Sequence, residues 1–108
     1  MKILISISKD ADKLLCVLYK EFLNRRKNGM AKADARHFDD GIIESFDTIS
    51  DWLPSDISDA MLELARADFL RITIGGDCDL KDSAIIYMEN RFKDGLKEVL
   101  TFISNFIP

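Results

Sequence analysis

The stretch Ser55-Asp56-Ile57-Ser58-Asp59-Ala60-Met61-Leu62-Glu63-Leu64-Ala65-Arg66-Ala67-Asp68-Phe69-Leu70-Arg71-Ile72-Thr73-Ile74-Gly75-Gly76-Asp77 changes its hydrophobic period partway along. Ile57, Ala60, Met61, Leu64 and Phe69 fall on one helical face, and Ser55 is a suitable cap for the helix that carries them. From Leu70 the apolar residues alternate, with Ile72 and Ile74 separated by Arg71 and Thr73, which is the pattern of a half-buried strand. Gly75-Gly76-Asp77 can take positive φ and closes a hairpin or tight turn. The return strand is short and ends near Leu80-Lys81. A helix feeding directly into a small hairpin is the feature from which the rest of the fold is read.

Upstream, Ala11, Leu14, Leu15, Leu18 and Phe22 mark a first helix that Ser8 or Asp10 caps and that Asn28-Gly29 ends. Residues 2–7 alternate loosely, as a short strand or an ordered arm. One helical turn is expected around Lys32 to Arg36. A second helix then opens at Asp39 or Asp40 and buries Ile42, Phe46, Ile49 and Leu53. Pro54 stops it and pushes Leu53 towards extended geometry.

Downstream, Asp82 or Ser83 opens a last helix over about residues 82–106. Ile85, Met88, Phe92, Leu96, Val99, Ile103 and Phe106 form a near-heptad seam along it. So long a stripe exceeds what a small core covers, and Phe92, Leu96, Val99, Ile103 and Phe106 are therefore expected to form a homodimer interface. Gly95 lies inside the seam, where it lowers helix propensity and allows a close contact.

The fold class is thus mainly α with a small β-hairpin, in one domain of 108 residues whose core spans about residues 10–90. Residues 55–70 resemble the recognition-helix stretch of bacterial winged helix-turn-helix regulators, with Asp68-Phe69-Leu70 standing at their "gly-leu-ile" strand entry. Leu80-Lys81-Asp82-Ser83-Ala84-Ile85-Ile86-Tyr87-Met88 is similar to the family's "Leu-Thr-x-x-Gly-x-x-Tyr-Leu" segment, with Lys81 and Ala84 in place of Thr and Gly. The resemblance implies a third helix that enters the DNA major groove, a wing that touches the backbone, a long C-terminal helix that makes a dimer, and a part in transcription regulation. A small helical bundle with an incidental hairpin is the other arrangement compatible with the pattern.

Charge is distributed against the DNA role. Residues 1–38 carry nine Lys or Arg against four acids, a balance of +5. Residues 39–82 carry three against twelve, a balance of −9, and residues 83–108 carry three of each. The net −4 is an average over these parts. The expected reading head presents Asp56, Asp59 and Glu63, which suit a basic protein partner and repel phosphate. The alternative is a DNA-binding transcriptional regulator that contacts phosphate through Arg25, Arg26, Lys27, Lys32 and Arg36.

Nothing along the chain reads as an enzyme or a cofactor site. His37 is the single histidine, no nucleophile elbow or phosphate loop occurs, and no His or Cys stands at metal-ligand spacing. The pairs Asp39-Asp40 and Asp77-Asp79 are each able to bind a cation weakly, but neither has the full oxygen-ligand spacing of a calcium loop. Cys16 reads as a core thiol, and Cys78 as a turn thiol that its flanking carboxylates keep protonated. No secretory h-region or membrane span is present, so a cytoplasmic location with no membrane partner is expected.

Overall fold

Ser8 starts the first helix, its Oγ accepting a hydrogen bond from the Ala11 amide at 3.2 Å. Asp10 and Asp12 lie in the first turn of this helix, α1 (Lys9–Lys27), and Arg25, Arg26 and Lys27 in the last, so each end complements the macrodipole. The computed structural model describes residues 6–105. Most of the strand or arm expected over residues 2–7 lies outside the described residues, as does Phe106; Ser6 to Ser8 carry no regular element.

The helical turn expected near Lys32 is α2 (Lys32–Ala35), and it leads into a two-residue strand, β1 (His37–Phe38). The regular helix expected over residues 39–53 is not formed. Gly41 has φ +88, and two single 3₁₀ turns, Ile43–Ser45 and Asp47–Ile49, are separated by Phe46 in extended geometry at ψ 128. The buried set shifts accordingly. Ile43 and Ile49 are buried, Ile42 and Phe46 are only partly so, and Leu53 is 64% exposed. Leu53 is extended, as a residue before proline should be, and Pro54 occupies the first turn of α3 (Pro54–Arg66).

Asp68 ends α3 at φ 69, a left-handed conformation that aspartate tolerates, and the Phe69 amide reaches back to the Leu64 carbonyl at 2.9 Å. The chain then enters β2 (Leu70–Ile72) and returns through β3 (Cys78–Leu80). The sheet is antiparallel in the order β1-β3-β2, with His37 opposite Asp79, Phe38 opposite Cys78, and Leu70 opposite Leu80. Cys78 is therefore a fully buried strand residue, not a turn residue. Its thiol is pushed up to about 12, chiefly by burial and then by Asp79 and Asp77.

The single long C-terminal helix is replaced by two, α4 (Asp82–Arg91) and α5 (Leu96–Ser104). Phe92 leaves helical geometry at φ −117 and ψ 77, and Gly95 turns the chain at φ 67 and ψ −128. The Gly95 amide donates to the Phe92 carbonyl at 2.9 Å, and the Asp94 amide to Glu98 Oε1 at 2.9 Å. A Cβ on Gly95 would meet nothing within 4 Å, so this glycine serves a backbone conformation and not the close contact expected of it.

This break consumes the seam. α5 packs on α1, and Phe92, Val99 and Ile103 are buried within the chain's own core, with Leu96 partly buried. α1 also packs against α3, and its buried residues spread beyond one stripe to Cys16, Val17 and Tyr19, as a central helix requires. Arg91 secures the corner. Its guanidinium donates to both Asp12 carboxylate oxygens at 2.5 and 3.0 Å and lies over the rings of Phe92 and Phe102.

Candidate functional site

Helical spacing places Ser55, Asp59, Leu62 and Arg66 on one outward stripe of α3, with Asp56 and Ser58 beside it. All six are exposed. Their inward counterparts Ile57, Ala60 and Leu64 are buried, so α3 is anchored on one face and free on the other. Asp56 and Asp59 are exposed on this outward side. Glu63 is engaged within the chain. Its Oε2 accepts from the Ser8 amide at 2.6 Å and its Oε1 from the Ser8 hydroxyl at 2.7 Å. These two bonds, the amide first, hold its carboxyl below the usual range and clamp α3 to the start of α1.

Three large apolar residues are exposed as well, and two of them, Leu53 and Ile74, belong to patterns expected to face the core. Leu53 precedes the helix, Leu62 is half exposed on its outer stripe, and Ile74 is 109% exposed at the hairpin turn. Alternation assigns Ile74 to the core, but β2 stops at Ile72 and the Thr73 and Gly76 backbone bonds close the turn beyond it.

Several members of the basic cluster are engaged within the chain. Arg25 turns inward, where it donates to the His37 carbonyl at 2.6 Å, lies 4.6 Å from the Phe38 ring centroid, and pairs with Glu21 at 3.5 Å. Arg36 is hydrogen-bonded to Asp82, and Lys32 lies 3.5 Å from the same carboxylate. The Asp82 carboxyl is held below its ordinary range by these cations, Arg36 foremost. Arg26 donates to the Met30 carbonyl at 3.1 Å and shares a surface groove with Lys32, Asp82 and Glu89. Lys27 is exposed at the helix end.

A second constellation forms at the turn end of the hairpin, where β1 pairs with β3. The register brings Asp39, Asp77 and Asp79 around one imidazole. His37 Nδ1 is 2.9 Å from Asp79 Oδ1, and Nε2 is 3.2 Å from Asp39 Oδ1 and 3.5 Å from Asp77 Oδ2. The Asp40 amide donates to Asp77 Oδ1 at 2.7 Å. Gly76 completes the close approach, since a Cβ there would stand 2.7 Å from Asp40 Oδ1. The hydrogen bond to Asp79 is the main cause that raises the His37 pKa; desolvation opposes it, and the charges of Asp79, Asp39 and Asp77 add to the rise. Spacing along the chain conceals this site, because its halves meet only through a two-residue strand.

Cys16, like Cys78, is buried, with its thiol pushed up to about 12. Desolvation dominates at both, which leaves neither thiol poised as a nucleophile. Among the described residues no helix is long and apolar enough to cross a membrane. In comparisons with protein-family models, curated proteins and solved structures, nothing matches this chain.

Proposed function

We propose that the protein is a winged-helix regulatory module without catalytic activity, whose α3 face docks a basic protein partner. The element order and the β1-β3-β2 sheet support the winged-helix reading, with α3 feeding β2 and the hairpin turn standing as the wing. The observation that carries the functional reading is the composition of the free face. Asp56 and Asp59 are exposed there together with Leu62, and Leu53 is exposed just before the helix.

Carboxylates on an inserted helix would each oppose a phosphate by on the order of 1 kcal/mol at contact distance in water. Acidic groups interspersed with exposed aliphatic side chains instead suit a partner that offers Lys or Arg around an apolar anchor. The DNA reading draws on Arg25, Arg26, Lys27, Lys32 and Arg36. Arg25 and Arg36 are engaged within the chain, and Lys32 shares a carboxylate with Arg36.

A photo-crosslinking side chain at Ser58, between the two aspartates, tests the docking face in cells that make the protein. Protein adducts that disappear when Asp56 and Asp59 are both changed to Lys support it. Adducts to nucleic acid, or protein adducts that persist after charge reversal, contradict it.

A further inference from the structure

At the turn end of the hairpin, His37, Asp39 and Asp77 form a mixed nitrogen and oxygen donor set, each offering one ligand atom within 4.8 Å of the others. His37 Nε2 faces Asp39 Oδ1 and Asp77 Oδ2. We propose that these three atoms bind a divalent transition-metal ion of the zinc type, tying the segment after β1 to the hairpin. Four observations carry the assignment.

The first is distance. A tetrahedral ion with bonds of about 2.0–2.2 Å separates neighbouring ligand atoms by roughly 3.3–3.5 Å. The histidine nitrogen is 3.2 Å from one carboxylate oxygen and 3.5 Å from the other. The two carboxylates need only close on the ion from within 4.8 Å of each other, a rotation that the exposed Asp39 side chain permits.

The second is orientation. A metal-binding imidazole characteristically gives its other nitrogen to a carboxylate, which fixes the tautomer and aims the lone pair at the ion. Asp79 occupies that position on Nδ1. Asp77 is held in the same manner, its Oδ1 engaged by the Asp40 amide while Oδ2 faces the imidazole. Two of the three ligands are thus positioned from outside the donor set.

The third is charge. With Nδ1 donating to Asp79, a neutral His37 would present its Nε2 lone pair to two carboxylates. A proton on Nε2 relieves that opposition with one positive charge, whereas a divalent ion supplies two and accepts all three lone pairs. The fourth is the donor type. Calcium calls for six to eight oxygens at longer range, while imidazole with carboxylate favours a borderline transition ion. Asp39 is exposed, so water can complete the coordination.

The test is a titration of the whole protein with Zn2+ alone, followed by calorimetry and by the nitrogen resonances of the His37 ring. One ion per chain is expected, with the change centred on Nε2 while Nδ1 remains a donor to Asp79. Asp39→Asn alters an exposed side chain and should weaken binding at least tenfold in a folded protein. His37→Gln should remove the site, and Asp79→Asn should weaken it by about 10–100-fold through loss of the orienting carboxylate. Affinity should also fall as pH drops below the His37 pKa, where proton and metal compete. The assignment is overturned if Nε2 does not respond to Zn2+, if Asp39→Asn binds as tightly as the parent, or if Ca2+ competes as well as Zn2+.

Discussion

Gly95→Ala separates the broken helix from a continuous one by the sign of its effect. In an unbroken helix over residues 82–106, Gly95 would be an interior helical glycine, and alanine would stabilise the protein by about 1 kcal/mol. The structure instead gives Gly95 φ 67 and ψ −128, a region populated almost solely by glycine. Forcing an L-residue there costs on the order of 1–3 kcal/mol. A Cβ would meet nothing within 4 Å, so the penalty arises from backbone conformation and not from crowding. At about 4–8 °C per kcal/mol for a domain of this size, the variant should melt roughly 5–20 °C lower. Circular dichroism with thermal and urea denaturation reads the result, with unchanged helicity and an unchanged urea slope expected. A melting temperature that rises together with the helical signal would refute the break between α4 and α5.

The remaining predictions concern the core, the basic cluster and the turn end of the hairpin. Val99 is fully buried, so Val99→Ala should destabilise by about 2–3 kcal/mol, from two lost methyl groups and the cavity left behind. Leu100 on the same helix is 46% exposed, and Leu100→Ala should stay within about 0.5 kcal/mol. Unfolding of both should be independent of protein concentration, whereas concentration dependence would restore the seam as an intermolecular contact. Arg25→Ala should cost about 1.5–3 kcal/mol, because its charged hydrogen bond reaches a main-chain carbonyl in a part-buried setting. Arg26→Ala, at an exposed position, should be nearly neutral in the same urea titration, and equal losses would contradict the inward role of Arg25. His37 has a folded pKa above its unfolded value near 6.5, so its stabilising contribution is complete below about pH 6.5 and is lost as pH rises through the folded value. His37→Gln should remove that alkaline decline from the stability profile measured without added metal.

Where local chemistry specifies an element, the chain declares it. The Ser8 cap, the single turn at Lys32, the outer and inner faces of α3, and the hairpin between Leu70 and Leu80 follow from capping, periodicity and turn residues read in place. Asp68 carries a positive φ at the strand entry, a conformation that glycine adopts most readily. Periodicity fails where it is interrupted without losing its phase. Ile42, Phe46, Ile49 and Leu53 keep helical spacing across two separate 3₁₀ turns, and the seam from Ile85 to Ile103 keeps it across a break between helices. The cues to both breaks are Gly41 and the pair Asp94-Gly95, turn residues that a count of apolar steps passes over.

The candidate sites divide in the same way. Asp56 and Asp59 are exposed because helix geometry alone decides their side of α3. Glu63 and Arg25 are diverted by contacts with residues far along the chain, which no local pattern predicts. The group around His37 depends on a strand too short to announce itself and on a register that only pairing determines.

The central claim is that the face formed by α3 serves protein and not DNA. Its most direct test is a low-salt anisotropy titration of the protein with random-sequence duplex DNA, repeated with Asp56 and Asp59 both changed to Lys. The parent should show no steeply salt-dependent binding, and the charge-reversed variant should acquire it. Tight, steeply salt-dependent binding by the parent, lost when Arg26 and Lys27 are changed to Ala, would contradict the account.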